Sequence, residues 1–138
     1  MTDADLDRIE LALSLELPAF YRRFMRNYPR WLVERQPEWT DVEKWELTDD
    51  PDRVIQFNRR VRTAAPGAFF DDRPWPPHYF VIGSEQEQNW YFLDLSEGSE
   101  AVYWFHHERG EVGEVCKSLD KFPEALLDDW ADVESAGG

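Results

Sequence analysis

His78-Tyr79-Phe80-Val81-Ile82-Gly83, Asn89-Trp90-Tyr91-Phe92-Leu93-Asp94-Leu95, Ala101-Val102-Tyr103-Trp104-Phe105-His106-His107 and Val112-Gly113-Glu114-Val115-Cys116 are four apolar runs within residues 78–118. A polar tip follows Gly83, Ser96-Glu97-Gly98-Ser99 follows the second run, and Arg109-Gly110-Glu111 follows the third. β-Branched and aromatic residues suit a pleated, half-buried surface, and glycine or clustered polar residues punctuate it. The pattern predicts short antiparallel strands joined by hairpins. The flanking segments read as helical or irregular. The expected class is α+β: an antiparallel meander sheet of about five to six strands, with N-terminal, middle and C-terminal helices packed on one face.

Working outward, Thr2-Asp3-Ala4-Asp5 has the spacing of a capped helix start, and Leu6, Ile9 and Leu13 share one helical face. Leu17-Pro18 breaks that helix and starts a second, with Pro18 as its first residue. Phe20, Phe24 and Tyr28 recur every four residues, Tyr21 and Met25 lie beside them, and Pro29 ends the helix near Tyr28. Arg22, Arg23 and Arg26 fall on the wet face, where they are free to pair with acids elsewhere. Trp31-Leu32-Val33 is either an extended piece or a last helical turn. The alternation in Val42–Leu47 predicts a strand.

Thr48-Asp49-Asp50-Pro51 starts a further helix, with an apolar face of Val54, Phe57 and Val61 running to Arg62. Residues 63–77 form a proline-rich loop containing Asp71-Asp72 and Pro74-Trp75-Pro76-Pro77. Such a loop is stiff enough to bind a partner, or Phe69, Phe70 and Trp75 simply cover the core. Ser118-Leu119-Asp120 enters a final helix with Phe122, Leu126 and Trp130 every four residues. No repeat or second domain is evident: residues 1–138 read as one domain, with its core at 5–130 and a frayed tail at 134–138.

Charge is unevenly placed. Residues 1–48 carry ten acids and seven bases, residues 49–75 five of each, and residues 76–138 fourteen acids against three bases, Arg109, Lys117 and Lys121. The sheet and C-terminal part therefore hold most of the net charge of −14. Such a surface repels nucleic acid and anionic membrane and attracts basic proteins. One cysteine, Cys116, excludes an internal disulfide and fits a reducing, cytoplasmic setting. No leader and no apolar run of bilayer-spanning length is seen.

Chemistry has few footholds. His78, His106, His107 and Cys116 are the only soft metal ligands, without CxxC or HExxH spacing. His106 and His107, as strand neighbours, are expected on opposite faces, so no metal site is expected. No Gly-x-Ser-x-Gly elbow or phosphate-cradling glycine loop is present, and Cys116 reads as a buried thiol. No cofactor is implied. An enzyme would need a deep pocket where Asp94, His106 or His107 converge.

A binding module fits better. Trp90, Tyr91, Phe92, Tyr103, Trp104 and Phe105 alternate across two central strands, so one set faces the helices. The other faces outward unless something covers it, and exposed aromatics beside acids suit a protein partner.

The order of features resembles the SUKH superfamily, the Smi/Knr-like domains. The resemblance runs over residues 5–130. It rests on a short helix, then Leu17-Pro18 into an aromatic helix with Tyr21 and Phe24. Ile82-Gly83 at a strand end, Tyr91-Phe92-Leu93-Asp94-Leu95 and the Val102–Glu108 strand follow, and last the serine-led segment with Phe122 and Leu126. Where such domains often have Asn-Gly-Gly, this chain has Asn27-Tyr28-Pro29-Arg30. Where they often have a glycine-rich turn, it has Ser84-Glu85-Gln86-Glu87-Gln88.

The resemblance implies a non-enzymatic role: an immunity protein that binds and neutralises a cognate toxin, often a nuclease, by steric and electrostatic occlusion. The alternative it implies is a regulatory protein-binding scaffold. The expected contacts are eight acids and one tryptophan on loops and hairpin tips: Asp71, Asp72 and Trp75, Glu85 and Glu87, Glu97 and Glu100, Glu108 and Glu111. Alternate tips of a meander lie at opposite ends, so these residues belong to two patches at least. Monomer and homodimer both stay open, the latter through a sheet edge or the basic stretch 22–35.

Overall fold

The computed structural model describes residues 1–34, 45–70, 73–85, 88–96 and 98–125. The predicted strand residues Val42–Lys44, the acids Asp71, Asp72, Glu87 and Glu97, the helical positions Leu126 and Trp130, and the tail lie outside them.

Helix α1 (Asp3–Leu13) opens on a reciprocal cap. Asp5 N–H donates to Thr2 Oγ1 at 3.2 Å, and Thr2 N–H donates to Asp5 Oδ2 at 3.0 Å. This satisfies two amides that the helix itself leaves without partners. Leu6, Ile9 and Leu13 are buried, as their spacing predicts. Helix α2 (Ala19–Arg26) is shorter than expected. Pro18, with ψ 147°, is its cap rather than its first residue, and the Asn27 amide donates to Arg23 C=O at 2.9 Å, closing the helix before Tyr28. Its inward stripe is Tyr21, Phe24 and Met25. Residues 30–34 are helical, with Leu32 buried.

Strand β1 (Trp45–Leu47) precedes helix α3 (Pro51–Thr63). Asp50 caps α3 by accepting from Asp52 N–H at 3.0 Å, and Pro51 takes the first turn, where no amide proton is needed. Then come β2 (Tyr79–Glu85), β3 (Asn89–Asp94), β4 (Val102–His106) and β5 (Glu111–Cys116). Among the described residues they form one sheet in the order β1-β2-β3-β4-β5, each neighbouring pair antiparallel. Ser118 caps a 3-10 turn (Leu119–Lys121) that leads into a helical segment at 122–125. The α+β meander is thus as expected.

The expectation of helices on one face only is corrected: both sheet faces are covered. Phe80, Ile82, Tyr91, Leu93 and Val102 join the stripes of α1 and α2 with Leu119 and Phe122. On the other face Val81, Trp90, Phe92 and Phe105 pack with Phe57, Val61, Phe70 and Trp75. Helix α3 reaches both clusters, giving Val54 and Ile55 to the first and Phe57 and Val61 to the second. It lies at the sheet edge. Among the described residues β1 pairs with Gly83–Glu85 alone; past its end Val81 N–H donates to Asn58 Oδ1 and Asn58 Nδ2 donates to Val81 C=O. The 63–77 loop closes the second face. Trp75 is 3% exposed, lies 5.4 Å from Phe92, and donates its indole N–H to Tyr79 C=O at 2.9 Å. The outward aromatic set expected from strand alternation is therefore absent; of the six, only Tyr103 and Trp104 are half-exposed.

Gly83 is required by close approach. A Cβ there would sit 2.2 Å from the Glu46 carbonyl oxygen on β1. Ile82 is the extra residue of a bulge in β2, since Val81 faces Phe92 while Gly83 faces Tyr91. The Ile-Gly pair thus sets both the bulge and the seat for β1.

Candidate functional site

The β2–β3 and β4–β5 hairpins turn at the same end of the sheet. The register shows it: Glu85 faces Asn89, Trp90 faces Phe105, and His106 faces Glu111. Asn89 ties the two tips together. Its Oδ1 accepts from His107 N–H at 2.9 Å and lies 2.5 Å from His107 Nδ1, while its Nδ2 donates to Glu85 Oε1 at 3.2 Å. Gly110, at φ 63°, closes the β4–β5 turn and donates to His106 C=O at 2.9 Å. This end carries Glu85, Glu108 and Glu111. Among the described residues neither Glu108 nor Glu111 has a basic partner.

The other predicted contacts fall elsewhere. Glu100 is at the opposite end of the sheet, between β3 and β4, 3.9 Å from Arg23. Trp75 is a core residue, so its burial removes it from any contact surface. The arginines of α2 pair mostly with α1 rather than with the acidic half: Arg22 reaches Asp7 at 2.8 Å, Glu10 at 3.1 Å and Asp3 at 3.5 Å, and Arg26 reaches Asp3 at 3.3 Å. These bonds push the Arg22 guanidinium further up, its hydrogen bond to Asp7 contributing most.

The chemical candidates do not assemble. Asp94 ends β3 opposite Tyr79, far along the strand from Asn89, His106 and His107, and accepts the Ser96 hydroxyl at 2.6 Å. His107 lies in the turn after β4, not in the strand. The strand alternation stops before it, and its ring stacks on that of His106 at 5.7 Å, correcting the expectation of opposite faces. Among the described residues no three ligating side chains cluster to hold a metal. Burial pushes the Cys116 thiol up, and its Sγ donates to Ser118 C=O at 3.2 Å. The thiol is half-buried rather than buried as expected, and the upward shift leaves less of the reactive thiolate.

A cross-strand row runs Leu47, Gly83, Tyr91, Trp104, Gly113 from β1 to β5. Trp104 borders two shallow troughs, each about 220 Å³. One is bordered by His106, Arg109, Glu111 and Gly113, the other by Glu85, Tyr91 and Val115. A larger groove of about 620 Å³ opens between α1 and α3, lined by Arg8, Arg59 and Arg60 with Asp52, which pairs with Arg8 at 3.0 Å. Sequence reasoning missed Asn89 and Gly113. Asn89 carries no signal beyond its place at a strand start; Gly113 inside a strand run is a recognised mark of close approach.

No helix among the described residues is long and apolar enough to cross a membrane. A family model for the SMI1/KNR4 family (SUKH-1) matches residues 1–124, and the chain belongs to that family. No curated protein and no solved structure matches it.

Proposed function

We propose that this SUKH-1 chain is a cytoplasmic immunity protein that binds a cognate toxin and occludes its working surface, without covalent chemistry. The observation that carries this reading is the acidic end of the sheet. Asn89 joins the Glu85 tip to the tip bearing Glu108 and Glu111, on a chain with a net charge of −14. Glu108 and Glu111 have no basic partner among the described residues, so their charge is available to an incoming molecule. A toxin that acts on nucleic acid needs a cationic cleft, because phosphate contacts dominate such binding. An acidic inhibitor reaches that cleft quickly by electrostatic steering, then blocks it by its bulk.

The test pairs the purified chain with the product of an adjacent toxin gene. A one-to-one complex that weakens as salt rises, and that abolishes toxin activity, supports the proposal. A complex indifferent to reversing Glu85, Glu108 and Glu111 together removes that end from the interface.

One observation favours a second reading, a scaffold for several proteins. The α1–α3 groove is cationic, so the domain presents two surfaces of opposite charge. Capture of several unrelated cellular proteins, one set lost on reversing Arg8 and Arg59, is the outcome that reading expects.

A further inference from the structure

β5 is the last strand of the sheet, and among the described residues it pairs only with β4. An edge strand presents a row of backbone donors and acceptors to any chain laid beside it. Next to this edge the Tyr91–Trp104–Gly113 row ends in a residue without a side chain. Gly113 has no positive φ to explain it. Its reason is the indole: a Cβ would stand 3.0 Å from Trp104 Nε1. The consequence is that the indole lies over Gly113, which brings a half-exposed tryptophan to the sheet edge.

A carboxylate lines each trough bordered by that tryptophan, Glu111 one and Glu85 the other. His106, whose Nδ1 is buried with no partner among the described residues, lines the Glu111 trough. Arg109 borders the same trough from the turn, and Glu108 and Glu111 lie within two residues of it in sequence. An indole face between two carboxylates suits a guanidinium or an ammonium group. The ring quadrupole attracts the cation, and the carboxylates add charge-assisted hydrogen bonds.

We propose that β5 accepts an extended basic segment of the partner protein as an added strand, with one arginine or lysine side chain crossing Gly113 onto Trp104 between Glu111 and Glu85. Strands lie about 4.8 Å apart, so a residue opposite Gly113 stands two strand spacings from Trp104, within reach of a long side chain. Charge selects the occupant. A second copy of this chain would bring Glu111 and Glu114 against the same carboxylates, whereas a basic segment meets complementary charge. The inference rests on the proposed function only in taking the partner to be a basic protein.

The probe is an acetylated, amidated Thr-Arg-Thr-Arg-Thr peptide, with a control in which glutamine replaces both arginines. It is titrated into the isotope-labelled full chain and followed by amide and indole NMR shifts. The expected result is shifts confined to the Trp104 indole N–H and the amides of residues 104–116, with little response to the control. Glu111→Gln, an exposed change that leaves the core alone, weakens binding about tenfold, and Trp104→Leu does at least as much. Shifts spread evenly over the acidic surface, equal response to the control, or undiminished binding by both variants overturns the proposal. So does concentration-dependent dimerisation that protects β5. Peptide bound at β5 by a chain that neutralises no toxin would sink the immunity reading alone. A toxin bound without disturbing Trp104 would sink this inference alone.

Discussion

Asn58 completes the hydrogen bonding of Val81 where the sheet runs out of partners. Val81 N–H donates to Asn58 Oδ1 at 2.8 Å, and Asn58 Nδ2 donates to Val81 C=O and to Val54 C=O, each at 2.9 Å. All of this is fully buried. A helix side chain thus does the work of a neighbouring strand. Asn58→Leu fills similar space but strands the Val81 amide and carbonyl, and buried unpaired groups cost about 1–3 kcal/mol each. We expect a loss of about 2–4 kcal/mol in urea unfolding, on the same scale. A loss below about 1 kcal/mol would mean that the edge is satisfied some other way.

Two glycines of one cross-strand row should behave differently. Gly83→Ala drives a methyl into the Glu46 backbone carbonyl, which cannot step aside without lifting β1. Gly113→Ala meets only the Trp104 indole at 3.0 Å, a half-exposed side chain rather than backbone. Overpacking of the first kind costs about 1–3 kcal/mol or more, and the second should stay below about 1 kcal/mol. Thermal or urea unfolding of the two variants side by side decides it; equal losses would remove the distinction.

Tyr21 packs edge-on to Phe80 at 5.1 Å, and its hydroxyl is buried with no partner among the described residues. Burial raises its phenol well above the ordinary 10.0. In the folded chain the phenol stays protonated, while the unfolded chain ionises near its usual value. Stability from this group is therefore whole below pH 10 and falls as pH rises beyond it. Tyr21→Phe should abolish that alkaline loss and gain up to about 1 kcal/mol near neutrality by removing an unsatisfied hydroxyl. Unfolding curves from neutral to strongly alkaline pH check both; an unchanged alkaline slope would show that another group sets it.

Arg22 gathers Asp3, Asp7 and Glu10 of α1, and Glu10 also accepts from Leu17 N–H at 2.7 Å. Arg22→Met keeps the stem and loses the charge. Because most of these acids are exposed, water screens the cluster and the loss should be only about 0.5–1 kcal/mol. It should shrink further in high salt. A salt-independent loss would point to packing of the stem instead.

Reversing Glu108, which borders neither Trp104 trough, to lysine should slow association with a basic partner far more than it speeds release. Charges outside a tight contact act chiefly on encounter. Stopped-flow rates at two salt concentrations measure it. An unchanged on-rate would place the contact at another surface.

The helix stripes were open to reading because they repeat locally: Leu6, Ile9 and Leu13, or Val54, Phe57 and Val61, need only a period of 3.6. The strands from Tyr79 to Cys116 were equally local, each bounded by its own turn chemistry. What escaped depends on distance along the chain. Asn58 looks like a polar gap in a helix until Val81, 23 residues on, is brought beside it. Trp75 in a proline-rich loop looks exposed until Phe92 and Phe105 lie under it. His107 looked like a strand residue because the turn ending at Gly110 begins one position earlier than the aromatic run suggests. The Glu85 and Glu111 tips share an end by register alone, and the Asn89 staple between them has no local signature.

Helix α3 belongs to both apolar clusters, and this has a kinetic side. Its Val54 and Ile55 are walls of one, its Phe57 and Val61 of the other, and Asn58 pins it to β2 between them. Displacing that helix uncovers both halves of the interior at once. The amides of α3 and β2 should therefore exchange their hydrogens together, at the slow rate of whole-molecule opening. Those of β5, which among the described residues pairs with β4 alone, should exchange sooner. A surface strand that loosens without troubling the interior is a natural place for a chain to receive another.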